Sequence, residues 1–258
     1  MTDQPKLRTK LLFKWLLKFL KPDLICDVGS MDGSEALWFS RLLPNARVVL
    51  FEANPVNFWT IARRAEVARR GIVLVDKAVW RENGPLSFFV ENPCGPSGEA
   101  KHLRGISSTR PRRNQDESRG NVQVTVEAVR LDSHLDSLAA ASATVALWID
   151  VEGASHEVLE GVRGLADRLV LLHLEVETRE FWRGQKLKQD VLALGRNLGF
   201  VPLARGRTEE QHDVVLVQQK VLAAYPFRIR AFVSLARLAS IKFKDIPGVM
   251  LERLWRVR

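Results

Sequence analysis

The chain has 258 residues, a length that suits one α/β domain with short extensions. Its formal net charge of +9 belongs to the two ends: residues 1–21 hold six basic and one acidic side chain, residues 220–258 hold nine and two, and the residues between them hold 24 and 27. This distribution argues against a nucleic-acid groove across the central domain, so we expect no nucleic-acid partner.

The chain begins with a basic amphipathic segment, residues 1–22. Lysines recur at every fourth position from Lys6 to Lys18, with Leu, Phe and Trp between them, which predicts a helix over Lys6–Leu20. The segment is too short and too charged to span a bilayer, and no signal-peptide cleavage pattern follows it. Two interpretations remain open: a helix that covers the sheet, or an interfacial anchor on an anionic membrane.

The number of cysteines gives an indication of the cellular compartment. Cys26 and Cys94 are the only cysteines, and Cys26 lies in an apolar run typical of a strand. Together with the missing signal peptide, this favours a reducing, cytoplasmic setting, at the inner face of a membrane if the basic ends are anchors.

Strands and helices alternate over residues 23–219, which predicts one α/β domain with a mainly parallel sheet. The strand-like runs are Leu24–Val28, Val48–Phe51, Ile72–Val75, Val145–Ile149, Leu169–Leu174, Phe200–Ala204 and Asp213–Gln218. The helical patterns are Ser34–Leu43, Pro55–Arg70, Ser155–Gly164 and Arg179–Leu198. Because only a short return joins the last two strands, we predict a Rossmann-like sheet of seven strands with an antiparallel edge strand.

The domain is interrupted between its third and fourth strands. Pro85–Glu91 and Val122–Val129 resemble extra strands, and residues 93–120 between them are rich in Gly, Ser, Pro and Arg. Such a long segment is usually either a functional lid or disordered, and both interpretations remain open.

Residues 220–258 belong to no strand–helix unit of the domain. Phe227–Ile241 mixes apolar residues with arginines, and a short second segment covers Val249–Trp255. We predict a basic helical extension here, with the same open question of membrane contact.

A glycine turn follows the first strand, with the sequence Asp27-Val-Gly-Ser-Met-Asp-Gly33. Such a turn lets a nucleotide-like ligand approach bare backbone at the carboxyl edge of a sheet. Dinucleotide enzymes use Gly-x-Gly-x-x-Gly, whereas here Gly29 and Gly33 are four apart and Met31 stands between them. Asp27 would repel a pyrophosphate but can pair with the cationic amino-acid tail of S-adenosylmethionine, which has no phosphate.

Two further acids end the second and third strands. Glu52 comes 19 residues after Gly33, where a carboxylate can accept both ribose hydroxyls of an adenosine, in S-adenosylmethionine and NAD alike. Asp76 is placed either to bond the adenine amino group or as a simple turn acid. Ala78 is small enough to let the adenine ring lie flat.

More acids gather where the fourth and fifth strands end. Asp150 and Glu152 follow the apolar fourth strand, and Glu175 and Glu177 end the fifth. Acids beside a buried strand end are costly unless they bind something. They would stand at the same crevice as the glycine turn, near the place of a methyl acceptor. His156 follows in the first turn of the next helix.

Several motifs in order resemble the FkbM-type methyltransferases. They are Asp-Val-Gly-Ser-x-x-Gly at 27–33, Phe-Glu-Ala-Asn-Pro at 51–55, Gly-Ile-Ser-Ser at 105–108, Leu-Asp at 131–132, Ile-Asp-Val-Glu-Gly-Ala at 149–154 and Glu-Val-Leu-Glu-Gly at 157–161. The resemblance covers about residues 23–218. It implies a seven-stranded methyltransferase sheet that binds S-adenosylmethionine, and O-methylation of sugars or glycosylated natural products.

The resemblance also implies residue roles. It places Asp27, Gly29 and Gly33 at the methionine part, Glu52 at the ribose, Asp76 at the adenine, and Asp150 with Glu152 on the reaction side. Ser30, Asn54 and Ala78 lie within or beside these segments and complete the candidate cofactor-binding residues. Trp148 and Ser155 depart from the family, which often has Lys and an acid there, so the reaction-side roles transfer less directly.

Transfer to a hydroxyl requires a base within hydrogen-bond reach. Asp150 is the first candidate, followed by Glu152, His156 and Glu175. The carboxylates could instead hold Mg²⁺ that orients two sugar hydroxyls, since hard oxygen ligands suit this ion; we assign no metal ligand.

The leading hypothesis is therefore an S-adenosylmethionine-dependent O-methyltransferase whose partner is a small-molecule or glycan hydroxyl acceptor. A NAD(P)-dependent oxidoreductase is an alternative, although no Tyr-x-x-x-Lys pair supports it. A non-catalytic cofactor-binding protein that docks through its basic ends is another.

Overall fold

The protein is built around one twisted sheet of seven strands. The computed structural model describes residues 6–91, 107–113, 121–135, 138 and 140–241. The ten strands of this part are β1 (Leu24–Val28), β2 (Arg47–Phe51), β3 (Val73–Val75), β4 (Ala78–Val79), β5 (Gly84–Glu91), β6 (Asn121–Val129), β7 (Val145–Ile149), β8 (Leu169–Glu177), β9 (Phe200–Arg205) and β10 (Gln211–Gln218). The main sheet has the order β3-β2-β1-β7-β8-β10-β9.

The strand pairing confirms the predicted Rossmann-like sheet. β3, β2, β1, β7 and β8 are all parallel, while β10 is antiparallel to both β8 and β9. Every residue of β1 and of β7 is buried, including Cys26. A parallel sheet covered on both faces has this near-continuous apolar pattern. The carboxyl ends of β1, β2, β7 and β8 therefore share one edge, where the predicted acids stand.

Helices cover both faces of the sheet. Within the described part they are α1 (Thr9–Leu20), α2 (Ser34–Leu42), α3 (Pro55–Ala62), α4 (Ala65–Arg69), α5 (Leu131–Leu135), α6 (Ser155–Glu160), α7 (Lys188–Asn197), α8 (Gln219–Ala224) and α9 (Pro226–Ile241). A single 3₁₀ turn, Arg163–Leu165, follows α6.

Three predicted helices differ from the structure. The pattern Ser155–Gly164 is helical only to Glu160. The pattern Pro55–Arg70 is two helices because Arg64 is extended between them, and its guanidinium donates to the Asp32 carbonyl in the glycine turn. The pattern from Arg179 becomes helical only at Lys188. Its first part is a loop in which the Gln185 side chain accepts from the backbone of residues 181 and 182.

The N-terminal helix covers the sheet, as one of the two interpretations predicted. Phe13, Leu16 and Leu17 of α1 are fully buried, and α1 contacts β8, β10 and α9. The apolar face of α1 therefore belongs to the core and is not available to a membrane. None of the helices in the described ranges combines the length and the apolar character that crossing a membrane would require.

A small second sheet, β4-β6-β5, stands beside the main one and contains both predicted extra strands. Most of the segment 93–120 lies outside the described residues, as do Cys94 and Val249–Trp255. Residues 107–113 are described and are held by several contacts: for example, Ser108 pairs with Phe89 of β5, and Arg110 forms an ion pair with Glu157 of α6. This stretch therefore runs across the edge of the sheet where the predicted acids stand.

Candidate active site

Gly29 lets the ends of β1 and β7 meet. Its φ is +80°, and a Cβ built on it would lie 2.0 Å from the backbone oxygen of Asp150. That approach leaves no room for a side chain, so Gly29 is required by both backbone conformation and space. The turn and the first candidate base are thereby held against each other.

Asp27 stabilises the glycine turn through hydrogen bonds. The side chain is fully buried, and its Oδ2 accepts hydrogen bonds from the Ser30 hydroxyl and from the Ala36 backbone N–H at 3.0 Å. Its Oδ1 has no hydrogen-bond partner within the described chain. Burial raises the pKa of Asp27 to about 8, although the bond from Ser30 opposes this. Asp27 and Ser30 thus support the turn from below.

Glu52 connects the glycine turn to the loop after β2. It is buried, and its two oxygens accept from the backbone N–H groups of Met31 at 2.7 Å and Asn54 at 2.8 Å. Burial raises the pKa of Glu52 to about 7, against the opposing effect of these bonds and of one from Asn57. Asn54 caps α3 and donates to the Ser107 hydroxyl at 2.9 Å. The carboxylate of Glu52 is therefore fixed in place before any ligand binds.

A cavity of about 60 Å³ opens beside these residues at the carboxyl ends of β1, β2 and β7. Five predicted site residues line it: Gly29, Glu52, Ala78, Asp150 and Glu152. Apolar side chains of both sheets form much of the remaining wall, namely Val28, Phe51, Val79 and Phe88.

The other predicted cofactor-binding residues lie around the cavity without lining it. Asp27, Ser30 and Asn54 are buried but outside its lining, and Asp76 is exposed. Gly33 immediately precedes α2, and a Cβ built on it would contact Ile61 and Leu50. Any ligand contact from these five remains a prediction.

Sequence reasoning missed several lining residues. Lys77, Asn57, Ser107 and Thr109 face the cavity. Asn57 lies one helical turn after the predicted Asn54, and Lys77 lies between two predicted residues, so their positions carried a signal. Ser107 lies in the Gly-Ile-Ser-Ser motif, whereas only folding brings Thr109 here.

Three carboxylates meet beside the cavity. One oxygen each of Asp150, Glu152 and Glu175 lies within 4.8 Å of the others. Burial, and then mutual repulsion, raises the pKa of Glu152 to about 7 and that of Glu175 to about 9. Asp150 as a residue is exposed, yet protein atoms surround most of its carboxyl group. This desolvation raises the pKa of Asp150 to about 6. At neutral pH, Asp150 is thus the member of this cluster best suited to accept a proton.

The backbone after β7 is bent to present these groups. Glu152 has φ +46° and Gly153 φ +81°, and a Cβ on Gly153 would meet the indole of Trp182 at 2.4 Å. A non-glycine residue with positive φ is costly, and such residues cluster at functional sites. The backbone N–H of Gly153 donates to Glu177, whose pKa burial raises to about 7.

His156 is not brought to the cavity. It lies in α6 with its Nδ1 3.6 Å from the Glu160 carboxylate. Its role as a base therefore remains a prediction that the geometry does not favour.

Comparison with known families decides the class of this site. The profile of the methyltransferase FkbM domain matches residues 27–202. The chain belongs to the FkbM methyltransferase family. It is an S-adenosylmethionine-dependent methyltransferase, and the family match does not support the oxidoreductase alternative.

Two methyltransferases are each 28% identical to this chain over most of its length. The 2-O-methyltransferase NoeI of Sinorhizobium fredii (strain NBRC 101917 / NGR234) is 28% identical over 185 residues, which are 67% of this chain and 72% of NoeI. The methyltransferase sdnD of Sordaria araneosa is 28% identical over 205 residues, 73% of this chain and 77% of sdnD.

Solved structures also align with the chain. A precorrin-6y C5,15-methyltransferase from Geobacter metallireducens GS-15 has a TM-score of 0.41 and 14% identity over 84% of this chain and 95% of its own. The N-terminal domain of EvdMO1 with bound SAH has a TM-score of 0.43 and 12% identity over 82% of each chain.

The residues of the cavity fit the cofactor of the FkbM family. Gly29 exposes bare backbone, Glu52 offers carboxylate oxygens for ribose hydroxyls, and Val79 and Phe88 offer an apolar surface for a ring. A cavity of about 60 Å³ is smaller than ligand pockets, which are roughly 300–1,000 Å³. Met31, which is 41% exposed, also lines this cavity.

The raised pKa of Glu175 predicts a pH-dependent stability. The folded chain retains a proton that the unfolded chain releases, so this contribution to stability declines as pH rises from about 4.5 to about 9. We expect Glu175→Gln to lose less stability than the wild type between pH 5 and pH 8, by on the order of 3 kcal/mol in urea unfolding. Glu82→Gln, at an exposed position, is the control, and identical pH dependence of all three proteins would refute the assignment.

Proposed function

We propose that the protein transfers a methyl group from S-adenosylmethionine to a hydroxyl of a carbohydrate or glycosylated molecule. One observation carries the proposal: Asp150 lines the cofactor cavity and also belongs to the carboxylate cluster. A base in this position can reach a hydroxyl that is presented to the methyl group. The name of NoeI, a 2-O-methyltransferase, supports an oxygen acceptor.

The proposed mechanism is alignment followed by proton removal. The bound cofactor supplies an electrophilic methyl group on a positively charged sulfur. The Asp150 carboxylate would accept the proton of the acceptor hydroxyl as the methyl–sulfur bond breaks and the methyl group passes to that oxygen. Glu175, whose pKa is raised to about 9, would carry a proton that it can donate to Asp150 or to the acceptor. Lys10 of α1 favours the ionised form of Asp150 and thus keeps the base available near neutral pH.

Glu52 gives the cofactor site its own pH dependence. Ribose hydroxyls that donate to the carboxylate bind its ionised form, so affinity for S-adenosylhomocysteine should rise as pH increases through about 7. We expect this rise in calorimetry between pH 5.5 and 8, with proton release at pH 6.5. Glu52→Gln should remove the rise and weaken binding by about 10- to 100-fold, since hydrogen bonds to charged groups contribute about 1.5–3 kcal/mol.

An exposed glutamate of the same chain provides the control for this titration. Glu82→Gln, on an exposed side chain, should bind like the wild type at every pH. Binding that is independent of pH in the wild type would contradict the role of Glu52. No binding of S-adenosylhomocysteine at any pH would refute the proposed site itself.

A divalent cation is an alternative role for the same carboxylates, in place of proton transfer by Asp150 and Glu175. Asp150, Glu152 and Glu175 offer oxygens of the kind that Mg²⁺ prefers, at mutual distances within 4.8 Å. Bound here, the ion would lower the pKa of all three groups and orient two hydroxyls of the acceptor. Magnesium titration calorimetry tests this: binding that is lost in Glu175→Gln supports it, and no heat refutes it.

We also propose a cytoplasmic location with peripheral contact to anionic membranes through α9. Phe227 and Leu238 are 85% and 59% exposed, and they lie eleven residues apart, three helical turns, with Arg230 and Arg237 near them. Such a face suits an anionic lipid surface. Binding to anionic vesicles that weakens with salt is the expected result, and equal recovery with and without vesicles would contradict it.

A further inference from the structure

A second, larger cleft adjoins the carboxylate cluster. It has a volume of about 620 Å³ and lies between the start of α1, α2 and the turn from β9 to β10. We call it the acceptor cleft and define it by Lys10, Lys14, Trp38, Glu175, Arg207 and His212. Glu175 is in its wall and in the carboxylate cluster, so the cleft leads to the candidate base.

The cleft is lined by more basic than acidic side chains: Arg8, Lys10, Lys14 and Arg207 against Glu175 and Asp213. Lys10 is paired with Glu35 at 3.3 Å, but no carboxylate of the described chain lies within ion-pair distance of Lys14 or Arg207. The Arg207 guanidinium donates to the Ser240 carbonyl, which fixes its position and leaves further donors for a ligand.

The cleft also has features that suit a sugar ring. Trp38 is half-buried in its wall, and the Lys14 ammonium lies 5.9 Å from the centroid of the indole. An indole offers a flat apolar surface to the C–H face of a ring. His212 is a buried part of the wall, and burial lowers its pKa to about 4. Its ring interacts with the Glu209 backbone, but neither nitrogen has a hydrogen bond of normal geometry in the described part.

We infer that the acceptor cleft selects a sugar with an acidic substituent, a carboxylate, sulfate or phosphate. The ring packs on Trp38, the acidic group pairs with Lys14 and Arg207, and a hydroxyl points past Glu175 toward Asp150. This inference rests on the proposed function, because it supplies the acceptor for the same base. Charge-assisted hydrogen bonds to Lys and Arg are about twice as strong as neutral ones, so the acidic group contributes much of the affinity.

Direct binding tests the inference apart from turnover. The probes are methyl β-glucuronide, methyl β-glucoside 6-sulfate, methyl β-glucoside 6-phosphate and neutral methyl β-glucoside, each titrated by calorimetry into protein saturated with S-adenosylhomocysteine. We expect at least one anionic glycoside to bind ten-fold or more tightly than the neutral one, and the three acidic probes to identify the acidic group.

Substitutions of cleft residues test whether the cleft causes the preference for an anionic glycoside. Lys14→Gln and Arg207→Gln should each weaken binding of the preferred glycoside about ten-fold, with unchanged affinity for the neutral one and unchanged melting temperature. Arg69→Gln, on the exposed surface of α4, should change nothing. Equal affinity for all four probes, or variants that bind like the wild type, would overturn the inference while S-adenosylhomocysteine still binds. Absence of S-adenosylhomocysteine binding would instead overturn the proposed function.

Discussion

Asp150→Asn should lower the rate of methyl transfer by about 10²- to 10⁴-fold, the usual contribution of a general base. Asparagine has the same shape but cannot take the proton of the acceptor hydroxyl. In the wild type, kcat should rise with pH through about 6 and then level off, because the base must be ionised and the pKa of Asp150 is raised to about 6. The variant should lose this rise. Initial rates of S-adenosylhomocysteine formation across pH 5 to 8.5 measure both effects.

The variant should still bind S-adenosylhomocysteine, since the proposed base acts on the acceptor. Asp167→Asn, at an exposed position in the turn between the 3₁₀ turn and β8, is the matched control and should retain the wild-type rate. An Asp150→Asn protein with unchanged rate and pH profile would exclude Asp150 as the base. Glu152→Gln would then be the next variant to examine, because that group lines the same cavity.

Gly29→Ala should destabilise the protein by about 3–5 kcal/mol and abolish cofactor binding. The new Cβ would lie 2.0 Å from the Asp150 carbonyl oxygen, so β1 and β7 must separate at the cavity. Alanine at a positive φ adds roughly 1 kcal/mol of backbone strain. Losses above about 4 kcal/mol are rare for single substitutions and occur where packing is this close. Urea unfolding and calorimetry with S-adenosylhomocysteine are the measurements.

Gly71→Ala distinguishes the cost of the steric clash at Gly29 from the cost of placing alanine at a positive φ. Gly71 also has a positive φ, +64°, but a Cβ there would meet nothing within 4 Å. This variant should lose only about 1 kcal/mol and bind the cofactor normally. If the two variants lost the same stability, the close approach of Gly29 to Asp150 would not be the reason for the glycine.

The main sheet could be predicted because its central strands are short, continuous apolar runs. Residues of β1 and β7 are buried on both faces, so sequence alone marks their bounds. The same logic placed Asp150, Glu152 and Glu175 at one edge, where the structure brings them together. Their position follows from strand ends and parallel topology, which local sequence determines.

Features that depend on distant contacts could not be predicted. The break before α4 depends on Arg64 reaching the Asp32 carbonyl, 32 positions away. The acceptor cleft combines Lys14, Trp38 and Arg207, which only the folded chain brings together. Similarly, the pattern of the glycine turn does not reveal that Asp27 lies beneath it, fully buried, with one oxygen unpartnered in the described chain.

Transfer of a ¹³C-labelled methyl group tests the central claim most directly. The protein is incubated with [methyl-¹³C]-S-adenosylmethionine and an equimolar mixture of neutral and acidic methyl glycosides, and the products are examined by carbon NMR. We expect one new methoxy resonance from a methylated sugar, which is absent with Asp150→Asn. A label that remains entirely on the cofactor, or that appears on nitrogen or carbon, would contradict O-methylation of a carbohydrate.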